Sequence, residues 1–373
     1  MQKNADLHIH SRFAMAASPK MTPDNIINGC RTKGIDVIGT GDALHNGWRT
    51  MWNRYIYDSN TDDIVIVPQT EVEDESRVHH VILMENFGQF EDLEKKLEPY
   101  CAHLRNMGRP HINLSGEKIA EFVHDLDGMI GPAHAFTPWT SLFASYSKPS
   151  DCYGDEKIDF CELGLSADSS YGAGIEEFKD IPFFSNSDAH SYYPEKLGRE
   201  FTRINISKET PEGVLKSIRN NKIIFNAGFF PEEGKYNRTA CTRCYAQFSL
   251  IEAESLKWKC PHDNGRIKLG VKERSEKLSS IPPTKRPPYI KIIPLGEVIS
   301  RVLGTSSPCT KKCRSMYNEF VYAFSNEISV LMDVSYEELC KVSKDAADAI
   351  ISMRNGRVKL YPGGGGKYGS FEF

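Results

Sequence analysis

The sequence lacks a long hydrophobic run. No apolar stretch among its 373 residues reaches the length of a membrane-spanning helix, and no signal peptide is visible. Its ten cysteines do not form the dense pattern of a small secreted disulfide framework. We therefore expect a cytoplasmic protein without membrane contact, whose thiols are reduced and partly engaged in a metal site.

The net charge is also small, at −4, but it is unevenly distributed. Residues 235–373 contain 23 Lys and Arg against 14 Asp and Glu, whereas residues 1–234 have a net charge of −13. An acidic part that can hold cations is thus joined to a basic part that can hold a polyanion.

Residues 5 to about 230 alternate between short apolar runs and amphipathic helical patterns. This alternation is typical of βα units, so it predicts a largely parallel sheet and, with seven or eight units, a barrel. The predicted strands lie at residues 5–9, 36–39, 64–68, 78–84, 129–133, 158–163, 181–184 and 223–225. The predicted helices between them include residues 23–33, 90–106, 116–126 and 211–220.

Metal-ligand side chains follow nearly every predicted strand. His8 and His10 are two residues apart, so they point to the same side of a strand. The other ends carry Asp42 and His45, Glu71 and Glu73, His79 and His80, His134, Glu162, Asp188 and His190. A single such residue is more often a helix cap or an ordinary buried histidine, but the ends of parallel strands converge, and seven ends together favour a metal centre.

The donors are imidazole and carboxylate without thiolate, a set that suits Zn²⁺, Mn²⁺, Fe or Mg²⁺. Eight or more donors exceed the coordination of one ion. We therefore expect two or three divalent ions, bridged by a carboxylate such as Glu71. Clustered ions favour phosphoester hydrolysis, and the residues alone also leave amide hydrolysis open.

The order of these residues resembles that of the PHP (polymerase and histidinol phosphatase) superfamily. The resemblance implies α/β architecture, with a distorted (βα)7 barrel of the PHP type, and metal ligands at His8, His10, Asp42, His45, Glu71, His80, His134, Asp188 and His190. We assign His80 and not His79, because the family ligand directly precedes a hydrophobic strand, and His79 is expected to face away. Catalysis is expected to depend on Asp188, Glu71 and His134.

Longer segments at residues 132–139, 162–168, 185–191 and 197–200 resemble endonuclease Q. That resemblance covers nearly the whole chain. It implies an endonuclease that nicks double-stranded DNA on the 5′ side of deaminated bases (uracil, hypoxanthine, xanthine) and of abasic sites. A lesion turned out of the helix would enter a pocket beside the metals.

A second metal site is predicted in residues 235–278. Cys241 and Cys244 form a Cys-x-x-Cys pair, and Cys260 follows, as in a zinc ribbon. The expected fourth cysteine is replaced by Asp263, and His262 lies beside it, so Asp263 or His262 is the fourth ligand of one structural Zn²⁺.

Proline-rich residues 279–288 read as a linker, followed by helical patterns at 295–303, 313–324 and 336–354. Residues 327–332 are compatible with a strand or a helix. We predict three domains: a phosphoesterase domain at 1–234, a zinc ribbon at 235–278 and a helical DNA-binding domain at 279–373. Cys309 and Cys313 are expected to pack rather than bind metal. The last residues, 370–373, resemble a sliding-clamp-binding tail but lack its glutamine.

Two groups of residues are candidates for DNA contact. The backbone candidates are Arg199, Arg301, Lys311, Lys312 and Arg314. The candidates for the base pocket are Arg12, Ser166, Asp168 and Tyr171, and Trp139 or Tyr171 is a candidate for stacking on the base.

Two alternative functions remain open from the residues. A small-molecule phosphoesterase of the histidinol phosphatase type explains the barrel but not the ribbon and basic tail. A non-catalytic DNA-binding adaptor with a vestigial barrel predicts missing metal ligands, although almost all are present.

Overall fold

The first 228 residues alternate between ten short strands and eight α-helices. The computed structural model describes residues 1–59 and 63–373, and these counts refer to that part of the chain. The strands are β1 (Gln2–Asp6), β2 (Val37–Gly39), β3 (Val65–Val67), β4 (Gln69–Glu73), β5 (His79–Leu83), β6 (Met129–Pro132), β7 (Cys161–Glu162), β8 (Phe183–Phe184), β9 (Phe201–Asn205) and β10 (Ile223–Gly228). The helices are α1 (Pro23–Lys33), α2 (Asn46–Asp58), α3 (Phe87–Leu97), α4 (Gly116–His124), α5 (Leu142–Ser145), α6 (Ser150–Tyr153), α7 (Ser169–Gly172) and α8 (Pro211–Arg219).

The predicted α/β barrel architecture is confirmed, but its strands are not mainly parallel. β1, β2 and β3 pair in parallel, as do β7 and β8. β4, β5 and β6 pair antiparallel. For β4 and β5 the reason is that residues 74–78 form a turn too short for a parallel crossover. β9, which was not predicted, pairs antiparallel with β1, and β10 pairs antiparallel with β9.

One bridge brings the two ends of the barrel together. Ile9, just beyond β1, pairs in parallel with Ala189, which follows β8. The amide N of His10 donates to the carbonyl O of Ala189 at 2.9 Å. The residues that follow β1 and β8 are therefore neighbours, although they are about 180 positions apart in sequence.

Proline ends two of the predicted elements early. Pro68 separates β3 from β4, since its nitrogen has no hydrogen to donate to a sheet. The predicted helix at 90–106 is α3, which starts at Phe87 and ends at Leu97, and Pro99 then lies in a 3₁₀ turn.

Residues 240–278 form the small ribbon, with two strands, two helices and a core of its own. β11 (Ala240–Cys241) pairs antiparallel with β12 (Ile267–Lys268). The helices are α9 (Leu250–Ser255) and α10 (Val271–Leu278). Ala253 and Ile267 pack with the buried side chains of Cys241 and Cys260.

The predicted linker is packed against the barrel and leads into a strand of the barrel's sheet. Ser280 donates its amide N to the carbonyl O of Gly174, and Arg286 Nη1 donates to the carbonyl O of Ile181, both at 2.8 Å. β13 (Tyr289–Lys291) then pairs in parallel with β10. The domain boundaries themselves stay predictions.

The rest of the chain is mainly helical and has a separate hydrophobic core. Residues 327–332 are a helix, and the predicted helix at 336–354 is two helices because Ser343 caps the second one. The elements are α11 (Leu295–Val302), α12 (Lys311–Phe324), α13 (Glu327–Met332), α14 (Tyr336–Cys340), α15 (Lys344–Arg354), β14 (Lys359–Tyr361) and β15 (Ser370–Glu372). No helix in the described residues has the length and hydrophobicity that a membrane crossing requires.

A buried ion pair joins this helical region to the barrel. Lys33 Nζ, at the end of α1, donates to Glu327 Oε1 of α13 at 2.7 Å, and both side chains are fully buried. The same ammonium donates to the carbonyl O of Pro194 at 2.9 Å. Glu327 also accepts from Tyr317 Oη and from the amide N of Leu295. The pair therefore holds the helical region against the segment that follows Asp188 and His190.

We expect Glu327→Gln to destabilise the protein by about 3 to 5 kcal/mol, because it leaves the Lys33 ammonium buried without its counter-charge. Urea unfolding of both proteins measures the difference. Asp92→Asn is the control, since Asp92 forms an exposed pair with Lys95, and its unfolding midpoint should match wild type. Equal midpoints for Glu327→Gln and wild type would contradict this prediction.

Candidate metal centre

Two buried histidines follow β1, and each is held through one ring nitrogen. His8 Nδ1 contacts Glu162 Oε2 at 2.8 Å, and His10 Nδ1 contacts Asp42 Oδ1 at 3.0 Å. Both rings are fully buried. A carboxylate on Nδ1 fixes the tautomer and the ring orientation, and it leaves Nε2 as the free donor atom.

The two Nε2 atoms converge on a pair of carboxylates. Asp188 Oδ1 lies 3.8 Å from His8 Nε2 and 3.2 Å from His10 Nε2. Glu71 contributes Oε1 at 3.7 Å from His8 Nε2 and Oε2 at 3.3 Å from His10 Nε2. Neither buried Nε2 has a hydrogen-bond partner among the described residues. Since a buried nitrogen without a partner costs free energy, the donor set fits a bound cation.

A second donor group shares Glu71. Glu71 Oε1 lies 2.9 Å from His79 Nδ1 and 3.2 Å from His134 Nε2. The donor atoms of Glu71, His79 and His134 lie within 4.8 Å of one another, and so do those of His8, His10 and Asp188. Glu71 belongs to one of these groups and also lies 3.7 Å and 3.3 Å from His8 and His10 of the other, so its carboxylate can bridge neighbouring ions.

The structure reverses the expected roles of His79 and His80. β4 and β5 pair with Glu73 opposite His79 and Glu71 opposite Val81, so His79 shares the face of the two glutamates. His80 points to the other face, where Nε2 contacts Asp74 Oδ2 at 3.2 Å. The Glu71-x-Glu73 alternation and the short turn after it were the sequence signal for this register.

Three further predicted ligands lie outside both groups. His45 caps α2, and its Nδ1 accepts from the amide N of Trp48 at 3.2 Å. Asp42 lies behind His10, where it orients the ring rather than facing the shared space. His190 is nearer, since its ring centroid is 4.4 Å from that of His10 and its Nδ1 lies 3.0 Å from the carbonyl O of Asp188.

Three residues of this centre have a strained backbone. Asp42, His134 and Asp188 have φ of +44°, +32° and +48°, in the left-handed region that side chains other than glycine rarely adopt. Strained residues persist where the surrounding structure holds them for function. Gly164 allows the strained His134, because a Cβ at Gly164 would lie 2.7 Å from the Cβ of His134.

Four residues around the centre were absent from the predicted site. Glu162 holds His8, and it follows a predicted strand end that the sequence analysis had marked. Glu73 and His111 contact each other at 3.0 Å, and Glu73 also contacts His79. Arg109 Nη1 lies 3.2 Å from Glu71 Oε2. Arg109 and His111 lie on a loop, and no strand-end pattern marked them.

The ionisable groups shift one another's pKa values. Burial raises the pKa of Glu71, but the charge of His79 and the close contacts of His10 and His134 outweigh it and lower that pKa far below its usual range. Burial lowers the pKa of His8, yet the Glu162 carboxylate raises it to about 9. The carboxylates thus stay ionised and attract positive charge, which protons or divalent cations can supply.

An open cleft reaches this centre from solvent. It has a volume of about 260 Å³ and includes His10, Arg109 and His190 in its wall. Phe13 and Met15, which are 39% and 79% exposed, line the same cleft.

The ribbon holds the four donors that a zinc ion requires. Cys244 Sγ lies 3.6 Å from Cys260 Sγ, and Cys241 Sγ lies 3.3 Å from Asp263 Oδ1. The donor atoms of all four residues are within 4.8 Å of one another. Asp263, and not His262, therefore completes the group that fits Zn²⁺.

The candidate base-pocket residues are partly engaged elsewhere. Asp168 caps α7 and lies 3.6 Å from Lys291 Nζ. Tyr171 Oη accepts from Asn237 Nδ2 at 2.8 Å. Arg12 is exposed beside the metal centre, and Ser166 is half-buried.

The candidate DNA-backbone residues differ in availability. Lys311 and Lys312 are exposed at the start of α12. Arg314 contacts Glu195 at 3.4 Å, Arg301 covers the Phe371 ring, and Arg199 donates Nε to the carbonyl O of Ser187 at 2.9 Å.

Two of the remaining candidates at the C-terminal end, Cys313 and Phe371, are engaged in packing, but Cys309 is not. The buried Cys313 contacts Thr305, whereas Cys309 is exposed. Phe371 is buried in the core of the helical region, so a sliding clamp could use residues 370–373 only by displacing it.

Comparison with known proteins gives one family model and two curated relatives. Residues 294–357 match the model of the MJ0043 C-terminal domain. Uncharacterized protein MJ0043 of Methanocaldococcus jannaschii is 43% identical over 281 residues, which are 71% of this chain and 36% of that protein. Uncharacterized protein YqxK of Bacillus subtilis is 29% identical over 403 residues, which cover 99% of this chain and 98% of that protein.

Two solved structures match over the entire chain at 42% identity. The lesion-specific endonuclease PfuEndoQ from Pyrococcus furiosus has a TM-score of 0.96, with 96% of that chain covered. Endonuclease Q in complex with a 27-mer duplex that carries an abasic lesion at the active site has a TM-score of 0.93, with 97% covered.

We expect His79→Asn to reduce the metal content of the barrel, whereas His80→Asn should not, because only His79 faces Glu71 and His134. Metal analysis after dialysis measures both, and Cys241→Ser in each background removes the contribution of the ribbon. The His80 variant should instead unfold at lower urea, since it loses contacts to Asp74 and Tyr153. Equal metal loss in both variants would contradict the assignment.

For the ribbon, Asp263→Ala should weaken zinc retention and His262→Ala should not. The readout is the rate of zinc transfer to a chromogenic chelator, with Cys260→Ser as the positive control. If zinc left the His262 variant faster than the Asp263 variant, His262 and not Asp263 would be the fourth zinc ligand.

Proposed function

The chain belongs to the endonuclease Q family, and from this we propose that it is a metal-dependent DNA endonuclease that acts beside damaged nucleotides. We propose further that it nicks duplex DNA on the 5′ side of uracil, hypoxanthine, xanthine and abasic sites. The single observation that carries the proposal is the buried Glu71 carboxylate, which contacts His79 and His134 on one side and faces His8 and His10 on the other.

The donor sets suit two or three divalent ions, held by His8, His10 and Asp188 on one side of Glu71 and by His79 and His134 on the other. His190 is an additional donor at the rim. Such ions, when bound, act as Lewis acids that activate water toward phosphorus and neutralise the charge of a phosphodiester.

The protein's own groups prepare this space. Glu162 and Asp42 hold the two histidine rings, so that both Nε2 atoms stay directed at the shared carboxylates. Arg109 is 28% exposed and lies next to Glu71. Its guanidinium can therefore bind a phosphate oxygen without leaving the rim of the centre.

The lesion would reach the centre only after leaving the base stack. The cleft beside His10 and His190 is open to solvent and has an apolar wall at Phe13 and Met15. A deaminated or missing base is extruded at lower cost than a paired one, which favours damaged sites. Arg12 and Ser166 stay candidates for contacts to the extruded nucleotide.

Contacts to the duplex backbone are proposed for the basic helical region. Lys311 and Lys312 are exposed at the start of α12, and residues 235–373 have a net charge of +9. Phosphate contacts of this kind position a duplex without reading its sequence. Arg199, Arg301 and Arg314 have protein partners already, so they would contribute after rearrangement.

The test is a labelled duplex with one deoxyuridine, deoxyinosine, deoxyxanthosine or abasic site, incubated with Mg²⁺ or Mn²⁺. We expect a nick on the 5′ side of the lesion and none in the undamaged duplex. Asp188→Asn should lower the rate at least 100-fold while the unfolding midpoint is kept, because a donor is lost from a site that stabilises transition-state charge. Glu319→Gln, on the exposed face of α12, is the control.

An intact protein that leaves all four duplexes uncut would overturn the proposal. Hydrolysis of a free phosphomonoester without action on DNA would favour the small-molecule phosphoesterase instead.

A further inference from the structure

Trp139 is an exposed tryptophan on the loop that carries His134. Its side chain is 56% exposed, whereas Trp48 and Trp52 are buried. Thr137 Oγ1 lies 3.1 Å from the carbonyl O of His134 and 3.0 Å from that of Trp139, so it links the two ends of this loop. The indole therefore stands close to the metal centre without being part of it.

A lysine from the ribbon covers this ring. Lys268 Nζ lies 3.8 Å from the centroid of the Trp139 ring, within the range of a cation–π contact. Tyr236 packs edge-on against the same indole, with 6.3 Å between the ring centroids.

Two further pairs of a lysine and an exposed aromatic ring lie nearby. Lys235 Nζ lies 4.6 Å from the ring centroid of Tyr368, and Lys367 Nζ lies 6.0 Å from that of Tyr245. Tyr368 and Tyr245 are 66% and 43% exposed. None of the three lysines forms an ion pair within the described residues, unlike Lys95 or Lys118.

These pairs are continuous in space. Gly366 donates its amide N to the carbonyl O of Lys235 at 3.0 Å, and a Cβ on Gly366 would lie 3.6 Å from Tyr236 Oη. Tyr236 in turn contacts Trp139. One surface strip thus runs across the barrel loop, the ribbon and the C-terminal segment; its members are Trp139, Tyr236, Tyr245, Tyr368, Lys235, Lys268 and Lys367.

We propose that this aromatic–lysine strip binds unpaired nucleotides of a DNA strand next to the metal centre. The proposal rests on the proposed function, because that function supplies DNA as the substrate. Every base has a flat face that stacks on an exposed aromatic ring, and lysines without an acidic partner are free to bind phosphates. A protein partner fits less well, since lysine is depleted at protein interfaces.

When a nucleotide is extruded, the neighbouring bases and the opposing base lose their normal stacking. A strip of exposed rings beside the centre can restore that stacking to a strand that the enzyme has opened. The strip then selects distorted duplexes before any bond is broken.

The first test uses the fluorescence of Trp139. Titration with single-stranded oligo(dT) should quench the emission, because stacking on a base quenches indole. Trp139→Phe should keep the affinity within about threefold, since the ring still stacks, while the quenching disappears. Unchanged emission at saturating oligo(dT) would overturn the stacking role of Trp139.

The second test compares two labelled duplexes by fluorescence anisotropy. One is fully paired, and the other has five unpaired nucleotides in one strand. The triple variant Trp139→Ala, Tyr245→Ala, Tyr368→Ala should weaken binding of the unpaired probe at least tenfold and of the paired probe less than threefold. For the unpaired probe we also plot the logarithm of the binding constant against the logarithm of the salt concentration. The triple variant Lys235→Gln, Lys268→Gln, Lys367→Gln should reduce the steepness of this plot by about 2.

Matched controls are available on the same protein. Tyr57→Ala and Tyr322→Ala remove rings that are 91% and 94% exposed but lie outside the strip. Both should bind the two probes as wild type does. Equal losses for both probes, or for strip and control variants, would overturn the proposal.

These binding experiments separate this inference from the proposed function. Quenching and selective binding without any nick at a lesion would leave the strip in place and reject the nuclease. Normal nicking by both triple variants, with unchanged affinity for the unpaired probe, would reject the strip alone.

Discussion

The structure depends on one buried carboxylate that must be surrounded by positive charge. Glu71 is fully buried and contacts His10, His79, His134 and Arg109. An ionised carboxylate without such partners is too costly to keep in a protein interior. The demand for positive charge at this point explains why imidazoles beside three different strands converge here, and why a bound divalent ion suits the site.

Two backbone pairings bring these residues together in the barrel. The bridge between Ile9 and Ala189 sets the residues after β1 beside the residues after β8. The antiparallel register of β4 and β5 puts Glu71, Glu73 and His79 on one face. The first joins residues about 180 positions apart and the second joins consecutive strands, and each decides which side chains share the centre.

The other regions are attached to the loops that carry the metal donors. The Lys33 and Glu327 pair holds α13 against Pro194, a few residues after His190. Lys268 of the ribbon makes a cation–π contact with the ring of Trp139, which is five residues after His134. The ribbon and the helical region are therefore fastened to the loops that form the centre.

The sequence alone was sufficient for the chemistry and for the approximate strand positions. The types of donor, the three ribbon thiols and the alternation of strands and helices are local patterns that hold without knowledge of the partner strand. Tertiary structure decided between His79 and His80, set Asp263 as the fourth ribbon donor, moved His45 to a helix cap and added β9 and β13 to the sheet. The reason is geometric: neighbouring residues of a strand face opposite sides, so the choice between them depends on a register set by a strand elsewhere in the chain. The Lys33 and Glu327 pair, nearly 300 positions apart, is likewise visible only after folding.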